Sequence, residues 1–269
     1  QTGHLLHGLG GDAQCRATPA GVAGADGAAH YRQYAAEAGS AADAAFNGKW
    51  YLRALYADGE ALGGGERIDS VAQSWAVLSG FGSETRAASA MDSALFRLWD
   101  REHRLIRLLD PPYSDRESSP GYITGYGEGF RENGGQYTHG AIWLAIAALR
   151  LGRSAEGTAM LETLLPETHE ERIYQAEPFV LPADISTARG HEGLAGWTWY
   201  TGSAGWYFRA VTRELLGLRM RDGRLYIESP VLPEFSVCWT DDAGRTHTIE
   251  RSPDGITVDG KSYDGGGLP

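Results

Sequence analysis

Nine consecutive residues, Arg131-Glu132-Asn133-Gly134-Gly135-Gln136-Tyr137-Thr138-His139, crowd a guanidinium, a carboxylate, two amides, a phenol, a hydroxyl and an imidazole around two glycines, just ahead of an apolar run. Such density of donors and acceptors suits a polar ligand. The same stretch also reads as a helix N-terminus capped by Thr138 or Asn133. A second stretch, Gly196-Trp197-Thr198-Trp199-Tyr200-Thr201-Gly202-Ser203-Ala204-Gly205-Trp206, combines aromatic rings with a Thr-Gly-Ser helix start. Indole faces stack on the C–H surface of sugars, and the unpaired N–H groups of a helix start attract an anion such as phosphate. The plainer reading makes the tryptophans core and Thr201 an N-cap. Asp69 and Gln73, in Arg67-Ile68-Asp69-Ser70-Val71-Ala72-Gln73, lie four apart on one helical face opposite an apolar stripe, turned to solvent or to a pocket. Glu177, in an apolar setting before Pro178, is a candidate partly buried carboxylate or half of a structural salt bridge.

Other patterns are missing. Gly8-Leu9-Gly10-Gly11 does not complete G-x-G-x-x-G and follows no strand. The eight histidines form no metal-ligand spacing, and there is no G-x-S-x-G elbow. No metal or organic cofactor is expected.

The elements that must position these groups follow from periodicity. Apolar residues at three- and four-residue steps predict helices over 30–47, 68–79, 84–101, 137–151, 155–165 and 203–216, with Gly80 and Gly217 as stops. Residues 1–30, rich in Gly and Ala, predict an irregular segment, and 108–133, broken by prolines and glycines, a long connection of the kind that carries function. After Gly217 the period becomes two, at Leu225–Ile227, Phe235–Trp239, Thr246–Thr248 and Ile256–Val258, with turn signals between. The chain is therefore expected to be mainly α over 31–217, in paired helical hairpins, with a small antiparallel β-module over 218–269.

Composition bounds the rest. The 269 residues, 42% of them hydrophobic, suffice for a sizeable core. A net charge of -11, from 35 acidic against 24 basic residues without a basic run, disfavours nucleic acid and anionic lipid as partners. Cys15 and Cys238 have neither metal-ligand nor redox spacing and read as free thiols in a reducing compartment. No apolar run is long enough to span a bilayer, and the opening lacks signal-peptide features. A start at Gln1 rather than Met suggests a segment of something longer.

Four blocks, Glu132–His139 (ENGGQYTH), Trp197–Trp206 (WTWYTGSAGW), Arg67–Gly80 (RIDSVAQSWAVLSG) and Tyr174–Val180 (YQAEPFV), resemble the signature blocks of glycoside hydrolase family 94, the carbohydrate phosphorylases, over roughly Phe46 to Val237. The third block resembles the cyclic β-1,2-glucan synthase branch, of which this would be a C-terminal part. The resemblance implies part of an (α/α)6 barrel, about six helices of it, and a pocket where inorganic phosphate attacks a β-glucoside with inversion to give α-glucose 1-phosphate. It implies His139, Thr201 and Gly202 for phosphate, and Asp69, Gln73, Glu132, Tyr137 and Glu177 for sugar. Because phosphate arrives as an anionic nucleophile, only a general acid is needed. The family's acid ends a D-W-N-D block, and the matching place here, Leu6 to Gln14, aligns it with Gln14, whose amide is no acid. A two-residue shift offers Asp12 as the catalytic candidate.

Two functions are therefore expected to compete. One is phosphorolysis that controls β-glucan chain length. The other is a catalytically inactive carbohydrate-binding or scaffold remnant. A family 94-like hydrolase is a third. The expected partners are a β-glucan or β-glucooligosaccharide, and either upstream domains of the same polypeptide or a homodimer to complete the barrel. The expected location is cytoplasmic, on the soluble part of a bacterial inner-membrane protein.

Overall fold

The computed structural model describes residues 24–81, 83–114, 120–199 and 201–268. They fall into two compact units, one running through Trp206 and the other from Tyr207.

In the first unit α1 spans Gly24–Asp43. It starts earlier than His30 because Ala25, Ala28 and Ala29 favour helix strongly enough to outweigh Gly27. The rest of the segment expected to be irregular, with Asp12, Gln14 and Cys15, lies outside the described residues. The predicted 68–79 helix is divided: Ile68–Asp69 is a short strand, β1, and α2 covers Ser70–Leu78 with Asp69 as its N-cap. Next come α3 (Glu84–Arg97), β2 (Trp99–Asp100), β3 (Leu105–Ile106) and β4 (Leu109–Asp110), which pairs with β1. The 108–133 connection is largely irregular, with one 3-10 turn at Gly121–Gly125.

The centre is α4, Thr138–Arg150, preceded by β5 at Gln136–Tyr137. Its sequence is apolar all round, the pattern of a helix buried on every side. Ala141, Ile142 and Leu144 through Leu149 are all buried. α4 packs on α2 and on α5 (Ser154–Thr163), while α2 packs on α3, so the expected pairing of successive helices is found. Gly157 sets the α4–α5 approach, because a Cβ there would lie 2.6 Å from Leu149 Cγ. A short α6 (Glu171–Tyr174) was not signalled by periodicity, nor were β6 (Asp184–Ile185) and β7 (Ala195–Gly196). The last helix, α7, starts at Thr201, runs to Arg209 and continues as a π-helical turn over Ala210–Leu215.

The second unit takes the end of α7 with its π-helical turn and then the β-module. β8 (Leu218–Arg221) and β9 (Arg224–Ile227) form a hairpin, and β10 (Phe235–Thr240), β11 (Thr246–Ser252), β12 (Gly255–Val258) and β13 (Lys261–Ser262) form a four-stranded antiparallel meander. Period two holds on β10: Phe235, Val237 and Trp239 pack toward buried Ile249, while Cys238, a free thiol, is exposed.

Candidate functional site

Three helix starts gather in the first unit. His139 is the second residue of α4 and Gly202 the second of α7. A Cβ on Gly202 would stand 2.7 Å from His139 Nε2, so only glycine lets the imidazole reach the start of α7. Ser70 opens α2, and a Cβ on Gly140, next to His139, would stand 3.2 Å from its Oγ. Ser70 and Thr138 are fully buried, and their hydroxyl oxygens have no hydrogen-bond partner. The positive helix-dipole ends of α4 and α7 suit an anion, whereas the start of α2 is already capped by Asp69 and Thr138 N donates to Ala183 O. Burial depresses the basicity of His139, so the imidazole is neutral and offers one N–H as a donor rather than a charge. It is held by stacking on Tyr137, at 6.1 Å between ring centres, and by the edge of Trp143 at 5.9 Å. Trp143 in turn meets Trp206 at 5.6 Å, so Trp206 is packing rather than platform. Thr201 is the first residue of α7.

Beside this cradle runs a three-stranded sheet, β5-β6-β7, which sets Tyr137 opposite Asp184 and Asp184 opposite Gly196. Asp184 is buried and accepts from Arg131 Nη1 at 3.2 Å. Burial raises its carboxyl to about 6, Arg131 opposes the rise, and Glu132 adds to it. Glu132 Oε2 lies 3.7 Å from Arg131 Nε; both atoms are buried and neither makes a hydrogen bond. The Arg131 guanidinium also lies over the Trp197 ring at 4.7 Å and the Tyr126 ring at 5.6 Å. Glu177 is partly buried, as considered for it, and forms no salt bridge among the described residues. Its Oε1 accepts from Trp199 Nε1 at 2.9 Å, and its own backbone N–H, then that indole N–H, hold its carboxyl below the ordinary range.

Asp69 and Gln73 are differently employed. Asp69 is buried, accepts from Val71 N at 2.8 Å and pairs with Arg53. Gln73 is wholly buried, turned to neither solvent nor a pocket. Its Oε1 accepts from Tyr51 N at 2.8 Å, and its Nε2 donates to Tyr51 O at 2.9 Å and to Asp69 O at 2.7 Å. Asn133 and Gln136, in the middle of the polar block, are likewise committed to backbone: Asn133 to Tyr113 and Tyr126, Gln136 to Ile106 N. Within that block the structure brings Arg131, Glu132, Tyr137 and His139 to the site, together with Gly202. It adds Asp184, which sequence reasoning missed. The one usable signal was a carboxylate set among Pro182, Ala183 and Ile185, the same apolar context that drew attention to Glu177. Asp12 and Gln14 are not among the described residues.

Comparison with known proteins decides the lineage. Residues 24–217 match the catalytic domain of the glycosyl hydrolase 94 superfamily. The chain belongs to that family. It is 42% identical over 223 residues to the cyclic beta-(1,2)-glucan synthase NdvB of Rhizobium meliloti (strain 1021), an alignment covering 78% of this chain and 8% of that protein. It is 32% identical to the solabiose phosphorylase of Paenibacillus borealis, over 70% of this chain and 25% of the relative. With the N,N'-diacetylchitobiose phosphorylase of Vibrio furnissii the identity is 29%, over 78% and 27%. The chain thus spans between 8% and 27% of the length of these three relatives. The matched region takes in the whole described site, which is consequently family 94 in ancestry. No helix among the described residues is long and apolar enough to cross a membrane.

Proposed function

We propose that this family 94 chain holds sugar and phosphate for inverting phosphorolysis of a β-1,2-glucan, as part of an (α/α)6 barrel completed by other residues of a larger polypeptide or by a second copy. A phosphate oxygen attacks the anomeric carbon, the C1–O glycosidic bond breaks, and the leaving oxygen takes a proton from a carboxylic acid. The products are α-glucose 1-phosphate and a chain one unit shorter. The convergence of His139 and Gly202 at the starts of α4 and α7 carries this reading. Neutral His139, Thr201 and Gly202 bind phosphate by hydrogen bonds; Glu132, Tyr137, Glu177, Arg131 and Asp184 face the sugar. Asp69 and Gln73 act by fixing the start of α2 rather than by touching substrate. In the same reading the chain is the cytoplasmic, soluble part of a bacterial membrane-anchored protein, and its similarity to a cyclic glucan synthase supports a role in setting chain length.

The proton donor separates this from a second reading, a carbohydrate-binding remnant, which Gln14 at the aligned acid position favours over Asp12. Incubating the chain with β-1,2-glucooligosaccharides and phosphate, and measuring glucose 1-phosphate, tests the first. Product that disappears in Asp12→Asn supports phosphorolysis with Asp12 as acid. Sugar binding by calorimetry without product supports the remnant. Reducing sugar released without phosphate makes it a hydrolase, and binding of neither sugar nor phosphate overturns all three.

A further inference from the structure

Of the eight tryptophans, Trp197 and Trp199 alone are strongly exposed, at 62% and 67%. Both adopt left-handed backbone, with φ of 57° and 65°. Bulky residues hold that conformation, at a cost of roughly 1–3 kcal/mol each, only where their surroundings impose it. The impositions are visible. The Trp197 carbonyl accepts from Ala183 N at 2.8 Å, and one face of its ring lies on the Arg131 guanidinium at 4.7 Å. Trp199 Nε1 is tied to the Glu177 carboxylate at 2.9 Å, and its ring meets Phe179, itself exposed, at 6.4 Å. The two indoles are thus strained and pinned on the surface of the described residues.

The chemistry around the rings identifies the occupant. Each indole has an ion against it, Glu177 at the rim of Trp199 and Arg131 on one face of Trp197, and Arg131 also carries Asp184 at 3.2 Å. An apolar protein surface laid over these rings would bury ions without replacing their water. A pyranose offers a C–H face to the open ring face and hydroxyls to the neighbouring ions, satisfying both. Two positions two residues apart in a chain are separated by at most about 7 Å, the scale of neighbouring hexose units. We infer that Trp197 and Trp199 form a stacking platform for successive glucosyl units, so that this site takes a β-glucan chain in preference to a disaccharide. The inference deepens the glycan reading above and rests on it.

Binding of β-1,2-glucooligosaccharides, from the disaccharide up to the hexasaccharide, to the 269-residue chain tests the platform by calorimetry. Affinity is expected to rise with length, by up to about tenfold for each ring engaged. Trp197→Ala and Trp199→Ala should each flatten that rise, lowering hexasaccharide affinity by a larger factor than disaccharide affinity. Trp197→Phe, which keeps a ring, should restore most of it and guards against an alanine variant that misfolds. Affinity that is equal at all lengths in the parent, or a rise just as steep in both alanine variants, overturns the platform. So do alanine variants that change only the sedimentation behaviour, because the rings are then a protein contact. A flat length series with glucose 1-phosphate still formed from the disaccharide removes the platform and keeps phosphorolysis; a steep series without product does the reverse.

Discussion

Two polar blocks of the first unit look interchangeable on paper and behave as opposites. In 67–74, Arg67 donates to the Pro111 and Pro112 carbonyls, Asp69 caps α2, Gln73 makes three hydrogen bonds and Ser74 Oγ donates to Ser70 O. In 131–139, Arg131 Nε, Glu132 Oε2 and Thr138 Oγ1 are buried without a hydrogen bond, and His139 is fixed by rings rather than by polar partners. Buried polar atoms that the fold does not satisfy are uncommon, because each costs about 1–3 kcal/mol. The first block, Ser70 Oγ apart, uses its polarity to fold; in the second, Asn133 and Gln136 hold backbone while Arg131 Nε, Glu132 Oε2 and Thr138 Oγ1 are left for a ligand.

Gln73→Ala should show the largest effect on the folding side of that contrast. It strands the Tyr51 N–H and C=O in the core and removes the side-chain bond to Asp69 O, so a loss of about 3 kcal/mol or more is expected in chemical denaturation. That is a large share of a typical 5–15 kcal/mol. An effect below about 1 kcal/mol would break the contrast.

Changes in the second block should do the reverse. His139→Ala is expected to weaken phosphate binding at least tenfold, since hydrogen bonds to a charged ligand are worth about 1.5–3 kcal/mol, while barely moving the melting temperature without phosphate. Gly202→Ala should reproduce it, because the new Cβ displaces the imidazole. A melting loss as large as that of Gln73→Ala would show the second block to be structural after all.

Asp184 sharpens the comparison through pH. Its native carboxyl titrates near 6 because burial raises it, whereas an ordinary Asp titrates near 3.9. Between these values the native chain holds a proton that the unfolded chain has released. Stability from this group is therefore highest at low pH and falls as pH rises from about 4 through 6, by about 1–3 kcal/mol. In Asp184→Asn that part of the dependence should vanish in denaturation curves taken across the window.

The smallest effect belongs to the β-module. His247 is hydrogen-bonded to Asp259 at 2.8 Å, faces Asp241 and stacks on Trp239, and the Asp259 bond leads in raising its basicity. Its contribution is complete below the unfolded value near 6.5 and disappears as pH rises through the native one. His247→Gln should remove a slight loss of module stability on going from pH 6 to 8, followed by the indole fluorescence of Trp239.

Where the chain was legible, one element sufficed to explain a residue. The apolar run of α4 announced a buried helix, and alternation on β10 announced its inward face. Asp184 was hidden because β6 is two residues long and has no period to read; pairing of Asp184 with Tyr137 across distant segments is what brings it to Arg131. Gln73 misled for the converse reason: its spacing from Asp69 is helical, but its amide serves the Tyr51 peptide, which no local pattern connects to it. The polar block was found correctly as a region, yet Asn133 and Gln136 in its midst are scaffold.

The contact between His139 and Gly202 has a mechanical meaning as well. The two positions are separated by about sixty residues of chain, and a phosphate gripped by both would act as a removable cross-link. Loop-closure entropy grows only slowly with length, so a tie across so long a span costs little more than a short one. Anion binding would fasten the start of α7 to α4, and release of product would undo it, making occupancy and local order a single event.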